Sequence, residues 1–142
     1  MANYVIDASV VIEYLITGPY TPQVQIFFNR VSAADQLIVP EFCLLECTNV
    51  IWKQVRFNGM TSQDAKKLLG DLRTLKLHRA PMKRLLDRTL EIALDNTLAV
   101  YDAGYIALAA HYSYSLLTLD QPQARAAGAE DVNLLPINSF TP

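Results

Sequence analysis

No apolar run in these 142 residues approaches the roughly 18–20 needed to cross a bilayer. The opening MANYVID lacks the basic-then-apolar layout of a secretory leader. No membrane partner is expected, and the cytoplasm is the expected location. Cysteine is scarce: Cys43 and Cys47 are the only two, spaced i and i+4 on an expected helix. Two thiols are half of a structural zinc site, and His78 and His111 show no matching ligand spacing. The pair therefore reads as small buried hydrophobes, and each histidine as a surface or hydrogen-bonded core residue. Low-complexity tracts, internal repeats and linker composition are also missing, which argues against disorder. The length suits one domain, residues 1–142, burying about two-thirds of its unfolded surface.

Positive charge is short overall, with a net −2 that by itself speaks against nucleic acid. Its distribution says otherwise. Ten of the twelve Lys and Arg residues fall between Lys53 and Arg88, against Asp64, Asp71 and Asp87, so that window carries +7 and the remainder −9. Such asymmetry suits either a polyanion footprint or the solvated faces of a helical hairpin.

What the chain does have is a regular alternation. Tyr4-Val5-Ile6 is a short apolar, partly β-branched run fit for a strand buried on both faces. Asp7 ends it, and a helical pattern starts at once. Thr21-Pro22 opens a second helix, and Leu37-Ile38-Val39 is the next buried strand. A helix over roughly Glu41–Phe57, burying Phe42, Leu45, Val50, Ile51 and Val55, stops at Asn58-Gly59. Thr61-Ser62-Gln63-Asp64 resembles a capping box and begins a further helix. Leu75–Arg79 alternates like an edge strand, and Pro81 starts a helix with Leu85, Leu86, Leu90 and Ala93 on one face. Helical spacing follows Asp102, Ser115–Leu119 is a strand ending at Asp120, and Gln121–Ala127 is a short helix. Asn133-Leu134-Leu135 closes as a last strand. The expected architecture is α/β, a central parallel sheet of about five short strands with helices on both faces.

Asp7 and Asp120 each end an apolar strand, and Asp102 fronts a helix where its charge suits the dipole. In a parallel sheet these belong on one rim, outside the carboxyl ends of the strands, where α/β proteins bind ligands. Glu46 lies among Leu45, Cys47 and Val50, with Asn49 one turn on. Taken singly, the acids could be helix caps and surface residues. Gathered together they repel by about 4 kcal/mol per 4 Å contact at an effective dielectric of ~20. Such a set needs protons or a cation, and all-oxygen ligands favour Mg²⁺ or Mn²⁺. Ser9 and Thr118, two residues from Asp7 and Asp120, can add hydroxyls.

These residues match a known pattern. VIDASVVI around Asp7, PEFCLLECTNV around Glu46, VYDAGYIALA around Asp102 and LLTLD ending at Asp120 occur in the order and spacing of the PIN-domain ribonucleases. The chain resembles that family over nearly its whole length, most closely the VapC-like toxins of bacterial toxin–antitoxin pairs. The resemblance implies a single PIN-like domain and a Mg²⁺-dependent endoribonuclease, with Mn²⁺ as the substitute ion. It makes Asp7, Glu46, Asp102 and Asp120 the metal-binding catalytic quartet, with Ser9, Asn49 and Thr118 as supporting polar groups. It further implies an RNA substrate, a cognate antitoxin and a homodimer. Two departures are small: Leu119 stands where a small residue is usual, and His111–Tyr114 replaces a polar-Gly connection.

The corresponding chemistry is hydrolysis of a phosphodiester in single-stranded or looped RNA, with Lys53–Arg88 cations on the backbone. Tyr101 or Tyr105 either stacks on a splayed base or packs in the core. Other readings are a non-catalytic PIN-like binding module and a processing nuclease without an antitoxin. A haloacid-dehalogenase-like phosphatase is a further rival, but it wants an acid where Ser9 stands.

Overall fold

A computed structural model of the protein describes residues 1–141. In chain order its elements are β1 (Asn3–Ile6), α1 (Ala8–Leu15), α2 (Thr21–Arg30), β2 (Gln36–Pro40), α3 (Cys43–Asn58) and α4 (Ser62–Thr74). Then follow β3 (His78–Ala80), a 3₁₀ turn (Lys83–Leu85), α5 (Leu86–Asn96), α6 (Val100–Tyr112), β4 (Ser115–Leu117) and α7 (Gln121–Ala129). The strands form one parallel sheet in the order β3-β2-β1-β4. Val5 and Ile6, Ile38 and Val39, and Leu116 and Leu117 are all buried. Successive strand residues point to opposite faces, so both faces of the sheet are covered.

α6 supplies much of that cover. Ala103 to Ala109 are buried without a break, the mark of a helix enclosed on all sides, and α6 touches β1, β2 and β4. Gly104 permits a close approach here, since a Cβ would meet the Phe42 ring at 3.0 Å. Cys43 and Cys47 are free and fully buried on the inner side of α3, as small hydrophobes should be.

The local signals mostly act as expected. The Asp7 and Asp120 side chains cap α1 and α7, Thr61 caps α4 by accepting from Asp64 N–H, and Gly59 ends α3 in the left-handed region at φ 77°. Four details differ. The expected fifth strand is a single parallel bridge, Leu116 to Leu134, because Pro136 follows at once and the chain turns into a 3₁₀ helix over Ile137–Ser139. β3 begins at His78 rather than Leu75, since Leu75 and Leu77 close tight turns after α4. Leu45 is exposed, as the inner face of α3 runs through Cys43, Cys47 and Ile51. In α5 the inner face is Leu85, Thr89, Ile92 and Ala93, while Leu86 and Leu90 are 60% and 52% exposed. At 100° per residue Leu86, Leu90 and Leu94 make their own stripe beside it.

Candidate active site

The carboxyl ends of the central strands open onto a cavity of about 250 Å³ whose walls include Asp7, Glu46, Asp102 and Asp120. Asp7 follows β1 directly, and its backbone N–H continues the ladder by donating to Leu117 O at 3.2 Å. Asp120 lies three residues beyond β4 and caps α7, its Oδ2 accepting from Gln123 N–H at 3.0 Å. Asp102 is in the first turn of α6, and Glu46 in the first turn of α3. Each acid thus occupies the N-cap or first turn of a different helix, where the positive end of the dipole favours its charge. A larger concavity of about 510 Å³, bordered by Tyr14, Gln25, Asn29 and Asp71, holds one acid and no such convergence.

Hydroxyl groups hold the innermost carboxylate. Asp7 is only 3% exposed. Ser9 donates to its Oδ1 and Thr118 to its Oδ2, both at 2.5 Å, and Val10 N–H reaches Oδ1 at 3.2 Å. The two hydroxyls are themselves anchored, Ser9 Oγ accepting from Leu119 N–H and Thr118 Oγ1 from Asp120 N–H, each at 3.0 Å. Ser9 and Thr118 therefore join the site. Asn49 does not: it is exposed on α3, outside the cavity wall. Asn49 lies 60° round the helix from Glu46 on the solvent side, and Val50, offset 40° the other way, lines the cavity instead.

Two residues that the sequence did not single out for this role complete the wall. Tyr105 is 1% exposed, so its ring is a core element and is unavailable for stacking on a base. Burial, followed by the thiol of Cys43, pushes its phenol up, and the protonated hydroxyl donates to Glu46 Oε1 at 2.7 Å. Gln123, also 1% exposed, donates from Nε2 to Asp102 O at 3.0 Å and faces Thr118 Oγ1 with Oε1 at 3.2 Å. A polar residue three and four positions before the buried Ala126 and Ala127 of α7 was the available signal. Tyr101 is 59% exposed and is free to meet a ligand.

The acids press on one another. Burial raises Asp7 from 3.8 to about 6; its hydrogen bonds oppose this, and the charge of Asp120 adds to it. Burial raises Glu46, against the Tyr105 hydrogen bond and with the charge of Asp102. Burial and then Asp120 raise Asp102. Such carboxylates need compensating positive charge to ionise together, and an all-oxygen donor set suits a hard cation. Among the described residues no three acidic, thiol or imidazole groups converge tightly enough to ligate one ion as they stand. Hard divalent cations of this kind can be held by one or two carboxylates with the remaining positions filled by water.

Comparison with known proteins gives this architecture a family. A PIN-domain family model matches residues 4–129. Ribonuclease VapC3 of Pyrobaculum aerophilum is 30% identical over 124 residues, covering 84% of this chain and 91% of the relative. Among solved structures, the Mycobacterium tuberculosis toxin VapC20, described as cleaving the sarcin-ricin loop, superposes with a TM-score of 0.66 at 11% identity, over 87% of this chain and 94% of its own. A chain of a toxin–antitoxin complex from Klebsiella pneumoniae gives 0.58 at 12% identity, over 94% and 97%. At those identities the two structures share the fold. The family match across most of the chain, with the near full-length VapC relative, shows that this chain belongs to the PIN-domain family as a VapC-like ribonuclease.

Proposed function

We propose that the chain is a Mg²⁺-dependent endoribonuclease and the toxin of a toxin–antitoxin pair, with Asp7, Glu46, Asp102 and Asp120 as its catalytic, metal-holding residues. The observation that carries this reading is the delivery of four carboxylates, from four helix N-termini, into one cavity at the carboxyl edge of the sheet. When bound there, Mg²⁺ (or Mn²⁺) supplies positive charge at the scissile phosphate and a more acidic water.

The chain's own groups do the rest. Ser9 and Thr118 fix the Asp7 carboxylate by both oxygens, and Tyr105 fixes Glu46 by one. Preset ligands of this kind keep their geometry when charge develops. A carboxylate of the set takes the proton of the attacking water, and the 3′ oxygen departs. Of the ten cations between Lys53 and Arg88, Arg88 alone forms ion pairs among the described residues, with Glu91 and Glu130. The other nine are available to RNA phosphates.

The partners follow the same reading. The toxin–antitoxin complex among the structural neighbours supports a cognate antitoxin for this chain. The exposed stripe of Leu86, Leu90 and Leu94 along α5, with Val100 and Tyr101 nearby in sequence, supports a homodimer, because a contiguous apolar strip of this kind is unfavourable in water. No helix is long and apolar enough to cross a membrane among the described residues. The test is cleavage of structured RNA with Mg²⁺ by wild type and by Asp7→Asn. Wild type cleaves and the variant loses at least a hundredfold; equal cleavage rejects the assignment.

A further inference from the structure

Gln123 is a neutral, uncharged residue in a cavity otherwise organised by acids, and it is almost wholly enclosed. Burying an amide is unfavourable unless its donors and acceptor are engaged. The acid-bearing elements surround it. Nε2 donates to the backbone carbonyl of Asp102 in α6, Oε1 lies 3.2 Å from the Thr118 hydroxyl, whose single proton goes to Asp7, and the backbone N–H caps onto Asp120. A helical carbonyl already accepts from its own helix, so the Nε2 bond adds nothing to the ladder of α6. What it adds is a cross-tie between α6 and α7, at the residue that carries one of the carboxylates.

We infer that Gln123 is a positioning residue that sets the distance of Asp102 from Asp7 and Asp120 and thereby the affinity of the acidic cavity for its divalent cation. This rests on the reading of that cavity as a metal site. Without the amide, the first turn of α6 loses its tie to the Asp120-capped start of α7, and the repulsion of Asp120 on Asp102 and Asp7 pushes the carboxylates apart. Partners that orient ligands from behind typically contribute 10–100-fold in metal affinity.

The experiment is calorimetric titration of Mn²⁺ into the full chain, as wild type, Gln123→Leu, Arg125→Ala (exposed on the same helix) and Asp7→Asn, with melting temperatures recorded in chelator. Leu fills a similar volume, and Gln123→Met repeats the test if Leu does not fold. The inference expects Mn²⁺ binding weakened roughly tenfold or more in Gln123→Leu, with a melting temperature near that of wild type, unchanged binding in Arg125→Ala, and cleavage recovered at high Mn²⁺. Wild-type affinity in Gln123→Leu, or loss that tracks melting temperature alone in both Gln123 variants, overturns it while leaving the metal site standing. Wild type that binds no Mn²⁺, or Asp7→Asn that binds as well as wild type, overturns both.

Discussion

Replacing Asp7 with Asn should stabilise the metal-free protein while abolishing its activity. The carboxylate is 3% exposed, and burial raises it from 3.8 to about 6 despite three hydrogen bonds. Between those values the folded state holds a proton that the unfolded chain releases, so stability falls as pH rises through this window. Above about pH 6 the penalty is complete, at about 3 kcal/mol as an upper bound. Asn removes the charge and keeps the shape. Its Oδ1 can accept from Ser9, and its Nδ2 can donate to Thr118 Oγ1 if that hydroxyl turns its proton to Gln123 Oε1, 3.2 Å away. Allowing for relaxation, the gain at pH 8 in chelator is about 1–3 kcal/mol, or roughly 3–10 °C in melting temperature. Thermal melts of both proteins at pH 4.5 and pH 8 read it directly. The advantage of Asp7→Asn should shrink at the lower pH, and saturating Mn²⁺ should raise wild type alone. An Asp7→Asn protein less stable than wild type at pH 8 in chelator refutes the claim that this buried charge is held at the expense of the fold.

Three further outcomes follow from individual contacts. Tyr105→Phe removes the donor to Glu46 Oε1; since that bond holds Glu46 down against burial, the acid limb of the pH–rate profile should move to higher pH, with about a 10–100-fold loss of activity, whereas an unmoved limb would detach Glu46 from the chemistry. With about four backbone contacts from the unpaired cations, KM for single-stranded RNA should rise roughly fiftyfold between about 50 and 200 mM salt; a flat response would remove the Lys53–Arg88 window from the RNA surface. Leu90→Asp, at a position 52% exposed, should give a monomer by light scattering with little change in melting temperature, and a persisting dimer would place the interface elsewhere.

Much of this site is legible in the amino-acid sequence, for a physical reason. Asp7 and Asp120 end apolar runs and double as helix caps, so short-range rules locate them and parallel topology puts them on one rim. Asp102 sits by its helix start in the same way. Glu46 was harder, because its place depends on which side of α3 faces the sheet; Cys43 and Cys47 mark that side, and the same geometry turns Asn49 and Leu45 outward. The α5 stripe is not legible in the sequence because two leucine-bearing faces lie next to each other, and periodicity alone does not say which one is buried. Tyr105 and Gln123 act through contacts 59 and 21 residues away in sequence, which no local pattern encodes. The last strand shrank to a bridge because Pro136 limited its length.

If these carboxylates hold a cation under which water displaces the 3′ oxygen of RNA, the ends of the cut RNA record it most directly. Fragments made by the purified protein with Mg²⁺ should carry 5′-phosphate and 3′-hydroxyl ends, and none should form in chelator. Fragments ending in 2′,3′-cyclic phosphate, or cleavage that persists in chelator, would contradict it.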